Sequence, residues 1–169
     1  TPTSKATILS YCLRYAARMY ETGKEGKAIA MGDALLTSYA APEYVAVRCG
    51  ALGIKAAAEG KKSLETVLAA MSDPSIEYRA VALKNASLNT SEKATKKWVT
   101  LMKGAESPQI RAEIVTMLGA RGDESALQPV MGMINDPEQY VRFAAMEASA
   151  RLGGASSIAP VIARMNADI

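Results

Sequence analysis

The stretch SPQIRAEIVTMLGARGDESALQPVMGMINDPEQYVRFAAM, residues 107–146, decides the fold. Ser107-Pro108 and Asp136-Pro137 each read as a helix start. Serine or aspartate suits the N-cap, and proline suits the first turn, where its missing N–H costs nothing. An arginine follows each start, Arg111 and then Arg142. Around Arg111 the apolar residues Ile110, Ile114 and Val115 fall at −1, +3 and +4, and around Arg142 Val141, Ala145 and Met146 do the same. That spacing lays one apolar stripe along a helix. Gly122 interrupts the pattern, and a second apolar segment runs from Ala126 to Ile134 before the motif restarts. Glycine suits the left-handed residue after a helix end. The stretch is therefore one helical hairpin and the opening of the next.

Working outward, the arginine recurs as Arg48, Arg79, Arg111 and Arg142, at spacings of 31, 32 and 31 residues. A valine column, Val67, Val99, Val130 and Val161, keeps the same period, with offsets from the arginines of 19, 20, 19 and 19. The −1 position stays apolar in the earlier units (Val47, Tyr78), as do +3 and +4 (Ala51 and Leu52, Ala82 and Leu83). Pro42 and Asp73-Pro74 supply the earlier helix starts, and Gly60, Asn89 and Gly153-Gly154 the remaining breaks. Second segments are expected at Leu64 to Met71, Ala94 to Met102 and Ile158 to Met165. A fixed period of this size marks stacked supersecondary units, because a lone hairpin cannot bury its apolar side. The expected fold is all-α, an α-α superhelix of about five helical hairpins forming one continuous domain. Residues 1–40 form a divergent first hairpin, and the four regular repeats cover 41–72, 73–106, 107–135 and 136–169. In the first hairpin Ser4 caps a helix running to about Glu21, Gly23 and Gly26 break it, and a second helix runs to about Tyr39.

The last two units carry Ile110-Arg111-x-x-Ile114, Leu118-Gly119, the run Gly122 to Val130, Asp136-Pro137, Val141-Arg142-x-x-Ala145 and Ile158-Ala159-Pro160-Val161. This pattern resembles the short HEAT-like repeat also found in phycobilisome bilin lyases. It covers residues 41–169 well and 1–40 poorly. The resemblance implies an α-solenoid that serves as an interaction array, often attached to other domains in long bacterial proteins. It also raises a bilin lyase-like activity, for which only the general repeat speaks.

Composition narrows the function classes. Apolar residues make up 49% of the 169, and aromatic residues only 5%. That is ample material for a core, and alanine and leucine supply much of it as strong helix formers. The net charge is +3; residues 1–106 carry 15 Lys+Arg against 10 Asp+Glu, and residues 107–169 carry 5 against 7. A chain that grips a phosphate backbone shows a stronger and more continuous excess. There is no histidine, so no Ser-His or Cys-His nucleophile pair and no histidine metal ligand. Cys12 and Cys49 are too few for a disulfide framework or a four-cysteine zinc site, and read as small buried hydrophobes. Catalytic, metal and cofactor sites are accordingly not expected. No apolar run approaches a membrane span, and no signal peptide is visible. Thr1-Pro2, without an initiator methionine, suggests a piece of a longer protein.

Two groups of residues remain as candidates. The arginine column, Arg48, Arg79, Arg111 and Arg142, is expected to be structural, each guanidinium tying neighbouring hairpins together near the Asp-Pro turn. The segment 91–103 is the most function-like. There Lys93, Lys96 and Lys97 could meet phosphates while the ring of Trp98, aligned with Pro129 and Pro160 and so expected partly exposed, stacks on a base. Against that stands a plain solvated helix face. The reading that results is a non-catalytic scaffold for a protein partner or a neighbouring domain. A weakly nucleic-acid-binding array using 91–103 is the alternative.

Overall fold

The computed structural model describes residues 4–88 and 91–167. Among these the regular structure is helical throughout. It comprises α1 (Lys5–Glu21), α2 (Glu25–Ser38), α3 (Val45–Glu59), α4 (Leu64–Ala69), α5 (Ile76–Ser87), α6 (Glu92–Gly104), α7 (Pro108–Arg121), α8 (Leu127–Gly132), α9 (Gln139–Gly153) and α10 (Ile158–Ala167). This is the all-α architecture of a HEAT-like solenoid. No helix among the described residues is long and apolar enough to cross a membrane.

The chain gathers into two compact units, Thr1–Ala86 and Ser87–Ile169. The boundary falls inside the stretch 73–106 expected as one repeat, so α5 as far as Ala86 belongs to the first unit and α6 to the second. In the first unit α1, α2 and α3 pack mutually. Their core is Leu9, Leu35 and Ala51, flanked by Cys12, Leu13, Met31 and Val47. Both cysteines are free and half-buried rather than fully buried. Ser4 caps α1, its Oγ accepting from the Thr7 amide at 3.2 Å. Gly23 makes the turn into α2, whereas Gly26 lies inside that helix's first turn.

In the second unit α7 packs on both α6 and α9, and α8 on α9. At Gly119 α7 comes close against α9: a Cβ there would lie 2.7 Å from Ala148 Cβ and 2.8 Å from its Cα. Only glycine permits that crossing. Gly60, Gly122 and Gly154 take φ of 56°, 69° and 48° at the ends of the first helices, in the region that favours glycine. Asn89, expected to break the third unit, lies outside the described residues.

The helix starts need correction. Ser107 does cap α7, accepting from the Ile110 amide at 3.5 Å. Asp73 and Asp136 do not cap. Each forms a turn ahead of the helix, accepting from the amide two residues on (Ser75 at 2.9 Å, Glu138 at 3.0 Å). The helices α5 and α9 begin only at Ile76 and Gln139. In α5 it is Ser75 Oγ that accepts from the Tyr78 amide. The aspartates hold a different partner.

Candidate functional site

The arginine column and the Asp-Pro turns meet. Arg48 donates to the carboxylate of Asp73 and lies over the Tyr78 ring, 4.4 Å from its centroid. Arg111 donates twice to Asp136, Nε to Oδ2 at 2.9 Å and Nη2 to Oδ1 at 3.2 Å. In both pairs the aspartate stands 25 residues after the arginine, in the next repeat. Three of the four guanidiniums also bond the backbone just ahead of their own helix. Arg111 Nη1 donates to the carbonyls of Ala105 (2.8 Å) and Glu106 (3.1 Å). Arg79 Nη1 reaches the carbonyls of Asp73 and Pro74, and Arg142 Nη1 those of Asp136 and Pro137, again six and five residues back. The planar fork lets one side chain serve two acceptors in its own turn and a carboxylate in the next. Burial pushes the Asp136 carboxyl up, but the bonds from Arg111 and the Glu138 amide hold it below its ordinary value.

The second helices share a finer register. Val67 and Val130 are buried, with Met71 and Ile134 buried four residues on and Ser63 and Ala126 buried four residues back. In α6 the buried trio is Ala94, Trp98 and Met102. Trp98 thus fills the place held by valine elsewhere, and Val99 is only half-buried. The expected partial exposure of Trp98 is overturned: the ring is fully buried. Trp98 stands 19 residues after Arg79, the offset that the other three units keep, so Lys97 and not Trp98 aligns with Pro129 and Pro160. A buried ring offers no face for a base.

Lys93 and Lys96 are exposed on α6, and Lys97 is half-buried. Lys96 pairs with Glu92 one turn away at 2.8 Å, an exposed pair of little energetic weight. The structure therefore brings the three lysines onto one helix but takes the tryptophan away from them. Ser63 and Ser157, which the sequence reading did not single out, close the turns before α4 and α10 by donating to the carbonyls of Gly60 and Gly154 at 2.7 and 2.9 Å.

Next to the lysines lies a buried polar junction. Arg121 donates to Thr95 Oγ1 at 2.7 Å and to the Ser91 carbonyl at 3.2 Å. Thr95 in turn donates to Asp123, which also accepts from the Ser125 amide and hydroxyl. Burial lowers the Arg121 pKa, and the Thr95 bond, followed by that of Ser125, lowers that of Asp123. These bonds fasten α6 to the end of α7.

Two grooves open in the first unit. One, about 450 Å³, runs between α1 and α3 over Leu9, Leu13 and Val47, with Lys5 and Glu43 at its rim. The other, about 440 Å³, is lined by Arg48, Lys55, Asp73 and Tyr78. Its cations are answered by carboxylates, Arg48 by Asp73 and Lys55 by Asp33 at 2.6 Å. No group of three or more Cys, Asp or Glu among the described residues could hold a metal ion.

On the outward side of the second helices, two residues past each core position, stand Ala69, Thr100, Gly132 and Ala163, all exposed. Gln128 and Ala159 are exposed on the same side of α8 and α10, two residues before it. In the second unit this row is small and uncharged except for Lys96 and Lys97.

Residues 95–169 match the family model of HEAT repeats. No curated protein matches the chain.

Proposed function

From a chain built of HEAT-like repeats, we propose a non-catalytic scaffold that presents the outward row of its second helices to a protein partner or to a neighbouring domain. HEAT repeats commonly serve as protein-interaction scaffolds. The observation that carries the reading for this chain is the row Thr100, Gly132 and Ala163, where short side chains let another backbone approach closely. The arginines are the frame: their bonds run to aspartates and carbonyls of the fold, which supports a structural role for Arg48, Arg79, Arg111 and Arg142.

The nucleic-acid alternative loses its stacking platform with the burial of Trp98 and retains only Lys93, Lys96 and Lys97. Those lysines fit better as the charged margin of a protein-binding row, meeting acidic side chains of the partner.

Site-specific photo-crosslinking tests the proposal. Gly132 accepts a photoreactive side chain without strain, since a Cβ there meets nothing within 4 Å. Crosslinks to protein are expected from positions 132 and 100, and none from Thr116, exposed on the first helix α7. Protein adducts from 116 alone would refute the assignment of the row. In parallel, Lys93, Lys96 and Lys97 changed together to glutamate should leave binding of a single-stranded oligonucleotide as weak as before. A steep salt-dependent loss of tight oligonucleotide binding would instead favour the nucleic-acid reading.

A further inference from the structure

Large apolar side chains stand exposed on one side of the last hairpin, and their register indicates what they meet. In the second unit each repeat touches the next at defined positions. On the second helix it is the residue three before the core position. Thr95 is buried and bonded to Arg121 at the end of α7. Leu127 lies against the end of α9, where a Cβ on Gly153 would come within 2.9 Å of its Cδ1. On the first helix it is the residue eight after the arginine, Gly119, pressed against Ala148. In the last hairpin these same positions are Ile158 and Ala150, and both are exposed. Phe143 lies two turns before Ala150 on the same side of α9, and Ile162 one turn after Ile158 on the same side of α10. Phe143, Ile158 and Ile162 are 51%, 54% and 51% exposed. Scattered single apolar residues need no explanation, but three large ones on the stacking side of one hairpin do.

We propose that this side of α9 and α10 is a stacking face that takes one further helical hairpin of the same repeat type. Its first helix would cross α9 at Phe143 and Ala150 and end in a small residue over Ile158. The face continues an interface already present in the fold: the hairpin formed by α7 and α8 presents the same register positions to α9 and is covered there. Phe143, Ala150, Ile158 and Ile162 are uncharged, and the exposed Glu147 and Arg151 beside them on α9 pair with each other at 2.6 Å, which suits an apolar helix pair rather than an acidic peptide or a phosphate backbone.

The test uses the full chain with a second copy of residues 136–167 fused in register at its C-terminal end. Amide exchange in α10 is expected to slow by at least about tenfold in the fusion, as it passes from an end element to an internal one. Ile158→Lys in the fusion should return that exchange to the parent rate. The same substitution in the parent chain, where the side chain meets solvent, should leave the melting temperature unmoved. No slowing in the fusion overturns the proposal. A concentration-dependent dimer of the parent chain that Phe143→Asp abolishes also overturns it, because the occupant is then a second copy.

Discussion

Replacing Arg111 with alanine removes four hydrogen bonds at once, two to Asp136 and two to the carbonyls of Ala105 and Glu106. The side chains of Arg111 and Asp136 are both largely withdrawn from solvent. Hydrogen bonds to charged groups contribute about 1.5–3 kcal/mol, and stripping a buried carboxylate of its partner costs about 3–5 kcal/mol. Asp136 keeps the Glu138 amide, and a carboxylate near the surface regains some hydration, so the expected loss is about 2–4 kcal/mol. For a chain of this length that lowers the melting temperature by roughly 5–12 °C. Thermal and urea unfolding followed by circular dichroism at the helix band would measure it. Arg111→Lys should lose at least half as much, since an ammonium cannot reproduce the bidentate fork. The double variant Arg111→Ala with Asp136→Ala should fall well short of additive. A loss for Arg111→Ala within about 0.5 kcal/mol of zero, the range of ordinary surface changes, would refute the junction as a structural tie.

Further outcomes follow from the same contacts. Gly119→Ala places a methyl 2.7 Å from Ala148 Cβ and should cost about 1–3 kcal/mol in urea unfolding, whereas Gly132→Ala, with open space around it, should stay within about 0.5 kcal/mol of the parent. The carboxyls of Asp123 and Asp136 both titrate below their ordinary value in the fold. Their contribution to stability is therefore complete above about pH 4 and is lost as pH falls through the lowered folded values. Asp136→Asn should flatten that acid limb in a series of melts from pH 5 to pH 2. Thr95→Val leaves Arg121 and Asp123 without their shared hydroxyl and should cost about 1–3 kcal/mol by the same assay.

The hairpins were legible because stacking imposes a period, and the arginines and prolines that serve it stand out against variable neighbours. The partner of the arginines was legible too: Asp73 and Asp136 each follow an arginine by 25 residues. Reading those aspartates as caps hid this, since a cap is the commonest use of an acid before a helix. Trp98 was misplaced for a related reason. The valine column had one irregular offset, 20 instead of 19, and the regular offset falls on Trp98. A shift of one residue turns a helical side chain by about 100°, enough to carry it from core to surface. A buried indole usually keeps its N–H within reach of an acceptor. Among the described residues no protein acceptor meets it. The outward row was legible as well, because Ala69, Gly132 and Ala163 form a column of small residues at the repeat spacing that would let a partner approach closely. Their significance appears only when three repeats set them in line.

Trp98 is the only tryptophan in the chain, so its fluorescence reports on one position of the register. It sits in the buried core stripe of α6 between Ala94 and Met102, with Lys93 and Lys96 on the helix surface and Lys97 half-buried. Titration of the folded protein with acrylamide tests that placement directly. A blue-shifted emission, quenched weakly until urea unfolds the chain and untouched by a single-stranded oligonucleotide, is the predicted result. Strong quenching in the folded state, or quenching by the oligonucleotide, would return Trp98 to the surface and contradict both the repeat register and the scaffold reading built on it.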